Sequence, residues 1–98
     1  MNQIETISAM EKILDRAEGL IGQLEKAVDD YEALLPELKQ LEGYYESPQW
    51  VSDYEDQEAG KLPEAFKCGV LSQDGVYDLL TRDDQLRDRL RCLISREA

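Results

Sequence analysis

The sequence predicts an all-α fold, a long kinked N-terminal helix packed with two or three shorter helices in a small bundle. Three observations predict it. Apolar side chains return every seven residues from Ile7 to Leu41, and serines stand where helix caps belong, at Ser47 and Ser72. An apolar fraction of 42% beside 34% charged residues also supplies core material that a disordered chain lacks. Ninety-eight residues is the size of one domain, here divided into a long acidic helix over 1–43, a short helix over 47–59, a connection over 60–72 and a C-terminal helical segment over 73–97.

The first helix begins near Gln3 and runs to about Glu42, on the order of 60 Å at 1.5 Å per residue. Ile7, Leu14, Ile21, Val28 and Leu35 form one column, Met10, Ala17, Leu24, Tyr31 and Leu38 a second, and Ile13, Leu20, Ala27, Leu34 and Leu41 a third. These columns merge into a stripe wider than a two-column coiled-coil seam. Glu11, Glu18, Glu25 and Glu32 border one edge of it, either as a solvated flank or as a negative rail for Arg and Lys of a partner. Gly19 and Gly22 lie off the stripe and soften the middle, at up to about 1 kcal/mol each against Ala. Pro36 lacks an N–H and clashes with the preceding turn, which predicts a kink near Leu34 or Leu35, or a break into two helices.

Gly43, Tyr44 and Tyr45 end this stretch, and Ser47-Pro48 starts the second helix, with Ser as the N-cap and Pro in the first helical position. It covers Pro48 to about Glu58, with Trp50, Val51 and Tyr54 as its buried side and Asp53, Glu55, Asp56 and Glu58 on the other. Asp53 and Glu64 have the separation of the first and twelfth positions of a calcium-binding EF-hand loop. Gln57 and Glu58 rule that out, since one replaces a ligand and the other stands where Gly must make the turn.

Gly60 caps the second helix, and Lys61-Leu62-Pro63 opens a connection with a single turn at Glu64-Ala65-Phe66. Phe66, Val70 and Leu71 are expected to plug the core. Ser72 is the next N-cap, and Leu71 and Val76 occupy the two positions of a hydrophobic staple across it. A third helix is expected from Gln73 to about Leu80, a brief break at Thr81-Arg82-Asp83, and a fourth helix to about Arg96 with Leu86, Leu90, Leu93 and Ile94 on its apolar side. Arg82, Arg89 and Arg96 repeat every seven residues along one edge of that side.

Charge narrows the function classes. The net charge is −11, and it is uneven: residues 1–60 hold 15 acids against 4 bases, whereas residues 61–98 hold seven of each. Such a surface repels phosphate backbones and anionic membrane faces, so direct nucleic-acid and membrane binding are not expected. The N-terminus has no basic segment leading into an apolar run, which points to the cytoplasm. Cys68 and Cys92 match no metal or redox spacing and are expected as reduced, packed thiols.

Catalytic signatures are missing from the residues. The chain has no histidine, the usual base near neutral pH and the commonest metal ligand. It has no nucleophile elbow, P-loop or dinucleotide fingerprint, and nothing pairs any two carboxylates. A non-enzyme without cofactor or metal is the expectation.

The run Tyr44-Tyr45-Glu46-Ser47, then Trp50 and Asp53, then Leu62-Pro63, and above all Cys68-Gly69-Val70-Leu71-Ser72-Gln73-Asp74-Gly75-Val76-Tyr77-Asp78-Leu79-Leu80, resembles a bacterial domain-of-unknown-function family, number four-two-nine-eight in its series. The resemblance covers nearly the whole chain. It implies a short bacterial cytosolic protein with no assigned activity and carries over no catalytic or ligand residue. The shared run reads as a cap, a staple and a core plug, or as a binding surface around Trp50, Asp53, Tyr77 and Asp78.

Two roles follow as expectations. One is a structural or adaptor module that docks a partner helix or self-associates, for example as a homodimer, along the stripe of the first helix. The alternative is an acidic decoy or inhibitor that presents carboxylates in place of nucleic-acid phosphates to a basic protein.

Overall fold

The computed structural model describes residues 2–97. Three α-helices and one 3-10 turn follow in order: α1 over Gln3–Tyr45, α2 over Pro48–Glu58, the 3-10 turn over Gly69–Leu71 and α3 over Gly75–Glu97. No strand occurs among the described residues, and the all-α class stands. Contacts divide the chain into two units, Met1–Pro36 and Glu37–Ala98.

Within the first unit the chain is helix from Gln3 onward. Asn2 caps it, its Oδ1 accepting the Glu5 N–H at 2.8 Å. From Gln3 to Asp30 every residue but Ala9 and Ala17 is exposed. The three columns of apolar residues are present as a helical pattern, yet Ile13 and Ile21 remain 60% and 59% exposed.

Of the two outcomes expected at Pro36, a kink or a break, the break does not occur, and the helix continues past Glu42 through Gly43 to Tyr45. Pro36 withholds one N–H from the carbonyl four residues back, at Glu32. Glu32 lies exposed, where water can serve that carbonyl, so the helix tolerates the loss.

The second unit starts with the end of α1, where the Ser47 N–H donates to the Tyr44 carbonyl at 3.0 Å. α2 begins at Pro48 as expected. Its other end is a Schellman motif: the Gly60 N–H reaches the Gln57 carbonyl and the Lys61 N–H reaches the Asp56 carbonyl, both at 3.0 Å. Gly60 takes φ +75, the left-handed conformation this motif requires.

Val51 is not part of the buried side, being 49% exposed. Trp50, Asp53, Tyr54 and Gln57 share the partly covered face of α2, and Val51 lies about 100° round the helix from Trp50. Phe66 is no core plug either. It is 61% exposed, on a turn closed by its N–H to the Pro63 carbonyl at 3.1 Å. The 3-10 turn carries Leu71 inward instead. Leu71 and Val76, each 4% exposed, are the buried hydrophobic side chains of the described residues.

The expected break at Thr81-Arg82-Asp83 does not occur, because α3 is one helix. Asp83 does fall at an inward position, with a side chain 15% exposed, and Arg87 one turn later meets it at 3.8 Å. A paired carboxylate removes the reason to break.

Candidate functional site

Aromatic side chains gather where α1 ends and α2 begins. Trp50 lies between two tyrosines: Tyr54 stacks on it at 5.3 Å and 15°, and Tyr45 meets it edge-on at 5.3 Å and 75°. Positions 50 and 54 are one helical turn apart, which is why both rings emerge on the same face of α2. Such pairs add about 0.5–1.5 kcal/mol beyond the area they cover.

The polar edges of these rings tie α2 to the segment before α3. The Trp50 indole N–H donates to the Val70 carbonyl at 2.9 Å. The Gln73 side-chain amide donates to the Tyr54 hydroxyl at 3.0 Å, and the Tyr45 hydroxyl reaches the Gln73 carbonyl at 3.4 Å. Each of these contacts joins residues roughly twenty or more positions apart, so the cluster closes the unit.

Tyr44 supplies a further clamp. Its hydroxyl donates to Asp53 Oδ2 at 2.6 Å. That hydrogen bond to a carboxylate, with burial and the Asp53 charge behind it, pushes the Tyr44 pKa up to about 12. The hydroxyl therefore keeps its proton at neutral pH and serves as a donor, not as a base or nucleophile. Asp53 is correspondingly occupied within the chain.

Two serines act alike. Ser47 Oγ donates to the Tyr44 carbonyl at 2.6 Å and accepts the Trp50 N–H at 3.3 Å. Ser72 Oγ donates to the Gly69 carbonyl at 2.9 Å and accepts the Gly75 N–H at 3.0 Å. Ser72 thus caps α3 as expected, although regular helix starts at Gly75, two residues later than Gln73. Gly75 has a steric duty: a Cβ there would press on Ser72 Oγ and stand 3.0 Å from the Gly69 carbonyl oxygen.

An open depression lies beside this joint, with Tyr54, Cys68, Ser72, Gln73 and Asp74 among its lining residues. Ser72, Gln73 and Tyr54 are already bonded as described, so their groups close the joint instead of facing a ligand. Cys68 is half-buried and Cys92 exposed, so the expected packing of both thiols holds only in part. Among the described residues no group of three or more Cys, Asp or Glu is placed to hold a metal ion.

The residues predicted to bind a partner fall into three places. Glu11, Glu18, Glu25 and Glu32 are exposed along α1. Trp50 and Asp53 are half-buried and engaged in the contacts just described. Tyr77, 60% exposed, and Asp78 stand in the first turn of α3. Among the described residues no hydrogen bond or ring contact joins Tyr77 or Asp78 to Trp50 or Asp53. Sequence reasoning missed the Tyr44 clamp and the Val70 carbonyl, since neither follows from periodicity or from a motif.

Compared with known families, residues 7–92 match the one described as Domain of unknown function (DUF4298). No curated protein and no solved structure matched the chain.

Proposed function

The chain belongs to the DUF4298 family, and we propose that it is a non-catalytic protein–protein interaction module that binds along the apolar stripe of α1. One observation carries this reading. Ten large apolar side chains from Ile4 to Leu34 are 43–76% exposed. They keep the heptad spacing of a helix–helix seam. Apolar patches beyond roughly 300–600 Å² are uncommon on monomers and mark interaction faces.

Leu24→Glu tests it. Leu24 is 57% exposed, so a charge there costs the isolated helix little and loss of binding is not misfolding. The expected result is loss of self-association by light scattering, or loss of a captured partner in a pull-down, with an unchanged circular dichroism spectrum. Unchanged mass and unchanged binding would refute the reading.

The exposed glutamate rail supports the decoy as a second reading, more weakly. α1 carries ten acids against four bases. That net of −6 over 43 residues is about one charge per 11 Å, far sparser than duplex DNA at about one per 1.7 Å. Competition with DNA for a basic protein, lost when Glu11, Glu18, Glu25 and Glu32 become Gln, would favour this reading over the first. No helix of the described residues is long and apolar enough to cross a membrane.

A further inference from the structure

Resting on the reading of α1 as an interaction face, we propose that its occupant is α3 of a second copy of this chain, lying parallel to α1. Each copy would take the other's α3, giving a closed two-fold dimer.

The argument starts from two faces with the same period. On α1 the apolar column Ile7, Leu14, Ile21 and Val28 is 45–59% exposed, beside the exposed column Glu11, Glu18, Glu25 and Glu32. On α3 the column Leu79, Leu86 and Leu93 is 42–48% exposed, beside the exposed column Arg82, Arg89 and Arg96. Leu79, Leu86, Arg82 and Arg89 also line an open depression on α3. A leucine seam flanked by arginines thus matches a seam flanked by glutamates.

Handedness selects the orientation. The glutamates follow their apolar column by four residues, and the arginines follow theirs by three. At about 100° per residue a step of four leans to one side of the seam, by about 40°, and a step of three leans to the other, by about 60°. When two helices face each other in parallel, opposite edges are apposed, as in the flanking charge pairs of parallel coiled coils. Parallel alignment therefore sets the glutamate rail against the arginine column. Antiparallel alignment puts them on opposite sides of the seam.

Connectivity then selects the second copy. The Tyr45 hydroxyl reaches the Gln73 carbonyl at 3.4 Å, so α3 starts beside the last residue of α1. From there a parallel α3 of the same chain would run past the end of α1, away from Glu11 to Glu32. Only another chain can supply a parallel α3 along that rail. Charge also disfavours α1 against α1: an antiparallel pair would face two glutamate rails of like sign across one side of the seam, and a parallel pair would leave both rails without an arginine column opposite.

Charge reversal tests the proposal. One variant carries Glu18→Arg and Glu25→Arg, the other Arg82→Glu and Arg89→Glu; all four positions are exposed, and circular dichroism checks that both fold. By sedimentation at low salt each variant alone should dimerise at least about tenfold more weakly than the parent chain. An equimolar mixture of the two should recover the dimer, since each α1 then meets an α3 of opposite charge. A mixture that stays monomeric would overturn the proposal, as would variants that dimerise like the parent. A parent chain that is monomeric but loses a different captured protein on Leu24→Glu would overturn the second-copy occupant and leave the α1 interaction face standing.

Discussion

From Gln3 to Asp30 every residue but Ala9 and Ala17 is exposed, whereas between Tyr44 and Val76 lie both buried side chains of the described residues, the two ring contacts made by three aromatic groups and the bonds that cross between segments. The first stretch has the more regular pattern and the less packing. Periodicity is a statement about which side chains share a face, and it fixes helix and stripe without saying what covers the stripe. The second stretch has almost no period. It folds on single residues in single places: Trp50 on the Val70 carbonyl, Tyr44 on Asp53, and Leu71 and Val76 on either side of a serine cap.

The largest effect should follow from Leu71→Ala. Leu71 is 4% exposed, and deleting such a side chain costs about 2–5 kcal/mol. Monitored by Trp50 fluorescence, the second unit should melt roughly 10 °C lower or more. Helical signal from the first unit should survive that transition if the two stretches differ as described; its loss at the same temperature would erase the distinction.

Gly19→Ala with Gly22→Ala probes the other side of the comparison. A Cβ meets nothing within 4 Å at either position, so each change should stabilise α1 by up to about 1 kcal/mol through helix propensity alone. Helical signal should persist to higher temperature than in the parent chain, while the Trp50 transition stays where it is. Movement of both together would mean that the stretches melt as one.

A smaller loss, about 1 kcal/mol, is expected for Ser72→Ala, which removes an acceptor from Gly75 N–H and a donor from the Gly69 carbonyl. Amide exchange should quicken at Gly75 and Val76 before it changes along α1. Uniform quickening would deny the cap its local role.

The mildest test is a titration. Tyr44 has a pKa of about 12 against an ordinary 10.0. A raised value means that its contribution is complete below pH 10 and is lost as the pH climbs through about 12. Asp53→Asn removes the leading cause and should return one tyrosinate band toward 10. A band that stays near 12 in that variant would assign the shift to burial.

Much of this was legible in the residues. The α1 start, the Ser47-Pro48 entry into α2, the Gly60 exit and the Leu71–Val76 staple rest on local rules that hold within four or five residues. Val51 and Phe66 were misplaced because burial is decided by distant segments, here by which face of α2 meets Val70 and Gln73. Asp83 suggested a break that Arg87 makes unnecessary. For the candidate surfaces, the sequence located the glutamates on one line. It could not tell that Asp53 is already committed to Tyr44.

The paired serine bonds constrain which sequences can replace this one. A hydroxyl at position 47 or 72 must give a proton to the carbonyl three residues behind and take one from the N–H three residues ahead. An ionised Asp can take but cannot give, and its charge would confront the carbonyl oxygen. Ala can do neither. Threonine keeps both actions on a single oxygen at that reach, so these two joints favour Ser or Thr and hold the three-residue spacing on either side.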